Sequence, residues 1–286
     1  MARTVLPRSA MKMLRHARDW ARLRRVAPLA FEPGALARLS DVDMDAAFRN
    51  EQIAAGWRAD AARIIALFGN EDLLGGVNPG DRRALYSLVR AAKPRNVLEV
   101  GTHIGASTLF IALALEANSN GGRVTTVDVA DVNDPVRGAW RSVGTRMPPR
   151  AFAEELKCAH CIQFVTRDSV QFLATTTEEF DFIFLDGDHS ADTVYREVAA
   201  SLKRLRPGGL VLLHDFYPDA LPLFPDDVIV PGPALACARI LREGVNMLVK
   251  PLGNLPWPTK QGTSATSLAL VARPESGTAG SAARPR

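Results

Sequence analysis

The 286-residue sequence contains no apolar run approaching the ~20 residues that cross a bilayer, so no membrane span is expected. No apolar stretch follows the basic start either, which argues against a secretory leader and makes a cytoplasmic location the expectation. Cysteine is scarce. Cys158, Cys161 and Cys237 are too few, and odd in number, for a disulfide framework, which suits a reducing compartment. Cys158-Ala-His-Cys161 has the spacing of half a zinc site, but no second CxxC or HxxxH pair completes four ligands. That pair reads as structural.

Charge is present but unevenly placed. Residues 1–25 hold eight basic side chains (Arg3, Arg8, Lys12, Arg15, Arg18, Arg22, Arg24 and Arg25) against Asp19 alone, while the whole chain nets +4. The remainder is therefore acidic, and a nucleic-acid-binding domain is not expected. The arm reads as a solvated helical extension, with contact to anionic lipid or nucleic acid as the alternative. At this length one large domain with appendages is expected rather than two full domains.

Along the chain, residues 1–44 form the basic extension, and residues 1–40 show no clear period. From Asp45 to Phe68 the apolar residues Phe48, Ile53, Trp57, Ile64, Ile65 and Phe68 recur at helical spacing. A second helix is predicted over Pro79–Ala92, and the two make a helical cap over 45–93. The rhythm then changes. Apolar runs at Val97–Val100, Val124–Val127, Ile162–Val165, Phe182–Leu185 and Leu210–Leu213 alternate with helical stretches at Ala106–Ala117, Ala151–Cys158, Ser169–Thr175 and Ala191–Leu205. That alternation predicts a doubly wound α/β domain over 94–273, a parallel sheet covered on both faces. Ser190 is expected to cap the last of these helices and Pro207-Gly208-Gly209 to stop it. A proline-rich loop, 216–233, is long enough to roof a site. A helix at Ala234–Arg242 and strands at Val245–Val249 and Ser267–Val271 follow, and 274–286 reads as a disordered tail.

The candidate chemistry sits at the strand ends. Glu99-Val-Gly101-Thr-His103-Ile-Gly105-Ala-Ser107 is a strand running through glycines into a helix, a turn that lets a ligand approach the backbone. The middle glycine of the dinucleotide fingerprint is missing, with His103 in its place, and Glu99 would repel a pyrophosphate. Glu99 suits instead a ligand carrying an ammonium and a sulfonium. Asp128 ends the next strand about 23 residues after Gly105, where a carboxylate can accept both hydroxyls of a ribose. Asp168 and Ser169 end the third strand and either flank an adenine or cap a helix. Asp186, Asp188 and His189 follow the fourth strand, and His214 and Asp215 the fifth. Their oxygens suit a hard cation such as Mg²⁺, and an imidazole can take a proton near neutrality. Phe216, Tyr217, Phe224 and Trp257 either stack on an acceptor or pack.

Taken together these motifs resemble the class I S-adenosylmethionine (SAM)-dependent O-methyltransferases, in particular the catechol O-methyltransferase-like branch and bacterial relatives with LDGDHS and HD motifs. The resemblance covers roughly Gly76 to Arg273. It implies a Rossmann-like seven-stranded sheet in the order 3-2-1-4-5-7-6 with the last strand antiparallel. It also implies SAM held by Glu99, Gly101, His103, Gly105, Ser107, Asp128, Asp168, Ser169 and Asp186. Metal-dependent members would place Mg²⁺ on Asp186 and Asp215. The Asn expected next is Phe216 here, with His214 as the substitute ligand. The position of the family's catalytic Lys holds His189, so His189 and His214 are the candidate catalytic bases. The expected partner is a small-molecule acceptor, and homodimerisation stays open. Three competing readings are an N-methyltransferase, an NAD(P)-dependent oxidoreductase and a non-catalytic SAM-binding or scaffold protein.

Overall fold

The computed structural model describes residues 8–69 and 75–275, with the side chains of residues 8–15 outside the described set. The expectations for residues 1–7 and 276–286 therefore lie outside the described residues. Seven strands form one sheet in the order β3-β2-β1-β4-β5-β7-β6. They are β1 (Asn96–Val100), β2 (Arg123–Asp128), β3 (Ile162–Thr166), β4 (Phe180–Leu185), β5 (Leu205–Leu213), β6 (Leu248–Pro251) and β7 (Ala269–Ala272). β1 to β5 are mutually parallel, and β7 runs antiparallel between β5 and β6. This is the order that the resemblance implies.

Ten helices surround the sheet among the described residues: α1 (Arg8–Arg25), α2 (Met44–Phe48), α3 (Glu51–Phe68), α4 (Pro79–Ala92), α5 (Ala106–Asn118), α6 (Ala139–Val143), α7 (Pro149–Glu155), α8 (Ser169–Thr175), α9 (Ala191–Leu202) and α10 (Gly232–Arg242). The central strands are mostly apolar because both faces are covered. Their side chains alternate between two cores. Phe182, Phe184, Leu210 and Leu212 join Ile64, Phe68, Leu85, Tyr86, Phe110 and Phe152 from α3, α4, α5 and α7 on one face. Ile183, Leu185, Val211 and Leu213 join Leu23, Leu173, Val194, Tyr195, Val198 and Ile240 from α1, α8, α9 and α10 on the other.

Local chemistry corrects three sequence expectations. The helix expected over Asp45–Phe68 is two helices, because the Asn50 side chain accepts hydrogen bonds from the N–H groups of Gln52 and Ile53 and starts α3 afresh. The Pro207-Gly208-Gly209 segment does not stop a helix. α9 ends at Leu202, and β5 begins at Leu205, pairs with Phe180, and runs through Pro-Gly-Gly across a register shift. The basic extension is helical but not simply solvated. Leu23 and Val26 are buried, and the Arg239 guanidinium of α10 donates to the Leu23 and Val26 carbonyls at the end of α1. Trp20 stays exposed, with the Arg24 guanidinium over its ring at 4.4 Å. Among the described residues no helix is long and apolar enough to cross a membrane.

Candidate active site

The carboxyl ends of β1, β2, β4 and β5 open into a cleft of about 600 Å³, at the place where ligands bind in open α/β sheets. Its first wall is the turn after β1. Gly101 has φ 95°, and a Cβ there would lie 2.2 Å from the Asp186 carbonyl oxygen, so only glycine lets the turns after β1 and β4 pass each other. His103 also has positive φ, at 50°, and its N–H donates to Asp128 Oδ2 at 2.9 Å. The two turns expected to grip one ligand are thus tied to each other. Gly101, His103, Ser107, Asp128, Asp168, Ser169, Asp186, His189, His214 and Asp215 all line the cleft.

Two expected site residues do not line it. Gly105 has φ 79°, and a Cβ there would lie 2.7 Å from the Pro149 ring. Its glycine is required by the start of α5 packing against α7. Glu99 is fully buried beneath the turn, where Oε2 accepts from Thr108 (2.5 Å) and Thr126 (2.6 Å) while Oε1 has no partner. Burial raises the Glu99 carboxyl to about 7, and the hydroxyls around it, which favour the anion, only partly offset that. A buried, half-satisfied carboxyl under the cleft suits a cation above it.

Asp168 caps α8 through Gln171 N–H, and Ser169 donates to Glu197 at 2.5 Å. Glu197, buried on α9, has its carboxyl pushed up to about 8 by burial. Asp168 thus caps a helix and also lines the cleft. Asp188 lines the cleft too, but the N–H and hydroxyl of Ser190 and the hydroxyl of Thr193 occupy its oxygens. Burial opposes the Asp188 anion, and these hydrogen bonds outweigh it and hold the pKa below the ordinary value. The expected Ser190 cap is absent, because the Ser190 hydroxyl is spent on Asp188 and Thr193.

The inner end of the cleft is the ionic cluster. His214, buried, points Nδ1 at Asp186 (2.8 Å) and Asp215 (3.5 Å) and Nε2 at Asp81 (3.4 Å). Burial alone would lower the pKa of its imidazole, but the carboxylates of Asp186, Asp215 and Asp81 raise it well above the ordinary value. His189 is more open, with Nε2 3.5 Å from Asp215 and 3.8 Å from Asp186. A Cβ on Gly232 would lie 1.9 Å from the His189 carbonyl oxygen, so the close approach of α10 fixes the His189 backbone.

Asp81 was invisible as a site residue in the sequence. It sits in the first turn of α4, where an acid reads as a helix-start residue, and Asn78 caps it there. Only the fold brings it under β5. The aromatic residues of the long loop are buried and line no part of the cleft. Phe216, Tyr217 and Phe224 pack, and Trp257 donates from Nε1 to the Gly80 carbonyl.

The donor set does not fit the Mg²⁺ that the resemblance implies. A hard cation wants several oxygens with free lone pairs. Phe216 contributes none, and Nδ1 of His214 lies 2.8 Å from Asp186 Oδ1, against the carboxylate itself. Among the described residues no group of three or more His, Cys, Asp or Glu is arranged to hold a metal ion. The expectation of Asp186, Asp215 and His214 as ligands finds no support in that arrangement.

Comparison with known proteins agrees with the geometry. Residues 98–216 match the family described as a methyltransferase domain. A catechol O-methyltransferase of Niastella koreensis is 31% identical over 140 residues, 48% of this chain and 56% of that protein. The tapetum-specific methyltransferase 1 of Arabidopsis thaliana is 28% identical over 151 residues, 51% of this chain and 57% of that protein. The chain thus spans little more than half the length of these relatives. In fold it is similar to an O-methyltransferase of Bacillus cereus solved with S-adenosylhomocysteine (SAH), with TM-score 0.50, 18% identity, and 92% of this chain and all of that one covered. Over part of its length the chain is thus similar in sequence to methyltransferases, and its sheet has the fold of an O-methyltransferase solved with SAH.

Proposed function

We propose that the chain transfers a methyl group from SAM to a hydroxyl oxygen of a small-molecule acceptor. The observation that supports this most is the stacked arrangement of buried Glu99, cleft-lining Ser107 and ribose-spaced Asp128 leading to an open imidazole at His189. Gly101, His103 and Ser107 would hold the methionine part, with Glu99 beneath it. Asp128 would take the ribose hydroxyls, and Asp168 with Ser169 the adenine. When bound, SAM supplies the electrophilic methyl.

The protein's own contribution is orientation and a proton acceptor. The cleft sets the acceptor oxygen in line with the methyl, which is where much of the barrier reduction in such a transfer arises. His189, which lines the cleft and is less buried than His214, takes the hydroxyl proton as the oxygen becomes nucleophilic. His214 cannot share that task, since carboxylates face both of its nitrogens. It positions Asp186 and Asp215 around His189.

The test is methyl transfer from labelled SAM to catechol and caffeoyl-CoA, acceptors named for relatives of this chain, and to amine analogues of each. His189→Gln is expected to lower the rate by about 10²–10⁴-fold while SAH affinity holds. Label found on the amines and on no hydroxyl acceptor would sink the proposal.

A further inference from the structure

The Asp186–Asp215 pair is closed from an unexpected side. His214 directs one ring nitrogen toward both carboxylates, at 2.8 Å and 3.5 Å, and the other toward Asp81 on α4 at 3.4 Å. The ring edge also packs on Phe184, with centroids 6.2 Å apart. Asp81 itself is fully buried and held in place. The Asn78 amide donates to its Oδ2 at 2.7 Å, Ser267 Oγ reaches the same oxygen at 3.4 Å, and Oδ1 has no partner. The start of α4 cannot drift, because Trp257 donates to the Gly80 carbonyl and a Cβ on Gly80 would lie 2.6 Å from Thr259.

We propose that Asp81 and His214 form a built-in plug. Asp81, reaching in from α4, holds the His214 ring against Asp186 and Asp215, in the place where a divalent ion would otherwise bridge them, so this site binds no metal. The inference rests on the methyl-transfer reading of the cleft. A carboxylate with no cation beside it would be costly to bury, and the His214 ring sets its two nitrogens within 2.8–3.5 Å of three carboxylates at once. A hard ion must instead find open oxygen lone pairs, and the ring lies against one oxygen of each carboxylate, Oδ1 of Asp186 and Oδ1 of Asp215. Ser267, just before β7, places its hydroxyl 3.5 Å from Asp215 Oδ1. Asp81 is therefore a positioning residue, acting on the site through His214.

The experiment is Mn²⁺ titration of the full chain saturated with SAH, followed by the electron paramagnetic resonance of free Mn²⁺. Wild type is expected to bind no Mn²⁺ at the cleft. His214→Asn, which withdraws the ring and leaves both carboxylates, is expected to gain a Mn²⁺ site at least about tenfold tighter than any in wild type, and His214→Asn/Asp215→Asn is expected to lose it. His214→Gln serves the same purpose if the Asn variant does not fold, with SAH binding reporting the fold of each. Mn²⁺ binding by wild type that Asp215→Asn abolishes would overturn the proposal, and that measurement needs no folded variant at position 214. Folded His214 variants that gain no Mn²⁺ site would overturn it too. Failure of wild type to bind SAH at all counts against the methyl-transfer reading instead, and the two failures are read from separate titrations.

Discussion

Glu99→Gln tests the electrostatics of the cleft floor in two directions at once. The wild-type carboxyl titrates at about 7 in the folded chain against an ordinary value of 4.5, because burial disfavours the anion. Between those values the unfolded chain has lost a proton that the folded chain keeps, so stability falls as pH rises through this window. The loss attributable to Glu99 approaches about 3 kcal/mol above pH 8, and about 1 kcal/mol of it accrues between pH 6 and pH 8. Gln keeps an oxygen for the Thr108 and Thr126 hydroxyls but cannot ionise. The stability of the variant relative to wild type should therefore rise by about 1 kcal/mol from pH 6 to pH 8, or roughly 2–4 °C in melting temperature. Glu197, with its carboxyl also raised, is present in both proteins, so its slope cancels in the comparison. At the same time the variant loses the charge that faces the cation of the ligand, so SAH should bind at least about tenfold more weakly, corresponding to about 1.4 kcal/mol. Thermal melts across pH 5–8 and calorimetry with SAH at pH 7.5 measure the two effects. A variant with the wild-type pH slope and the wild-type affinity would refute the view that Glu99 is a strained carboxyl serving the ligand.

Gly101→Ala places a Cβ at φ 95° and 2.2 Å from the Asp186 carbonyl oxygen, so two turns of backbone must shift. The left-handed conformation alone costs about 1–3 kcal/mol, and loss of SAH binding with a lowered melting temperature is expected. The three cysteines are buried thiols pushed up to about 12, chiefly by burial, so the native chain should resist thiol-specific alkylation at pH 8 and label fully in guanidinium. Rapid labelling of Cys158 or Cys161 in the native state would show that the face built by α7 opens readily.

Much of this site could be read from sequence because its parts lie at strand ends. Once β1, β2, β4 and β5 are recognised as apolar runs, the residues that follow each of them must share one edge of the sheet. Asp128, Asp186, His189, His214 and Asp215 are legible for that reason alone, and the structure brings all of them to the cleft. Residues that reach the site from outside the strand–turn pattern are a different matter. Asp81 carries the signature of a helix start, and nothing in Asn78-Pro-Gly-Asp81 says that the helix will lie with that turn beneath β5. Glu197 reads as a solvated acid on α9 until the fold buries it against Ser169. The Asn50 break between α2 and α3 and the run of β5 through Pro207-Gly208-Gly209 are failures of the same kind. In both, a side-chain cap or a strand pairing outweighed the local periodicity. The Mg²⁺ expectation came from the oxygen donors at the strand ends and from the resemblance, and neither could reveal how the His214 ring lies among Asp81, Asp186 and Asp215.

The central claim is that the cleft is a SAM site. It is tested most directly by calorimetric titration of SAH into the full chain in the presence of EDTA, with NADH as the control ligand and Asp128→Ala as the control protein. The account predicts one SAH bound per chain without added metal, no NADH binding, and affinity weakened by removal of the Asp128 carboxylate. No SAH binding, or NADH binding that depends on Asp128, would contradict it.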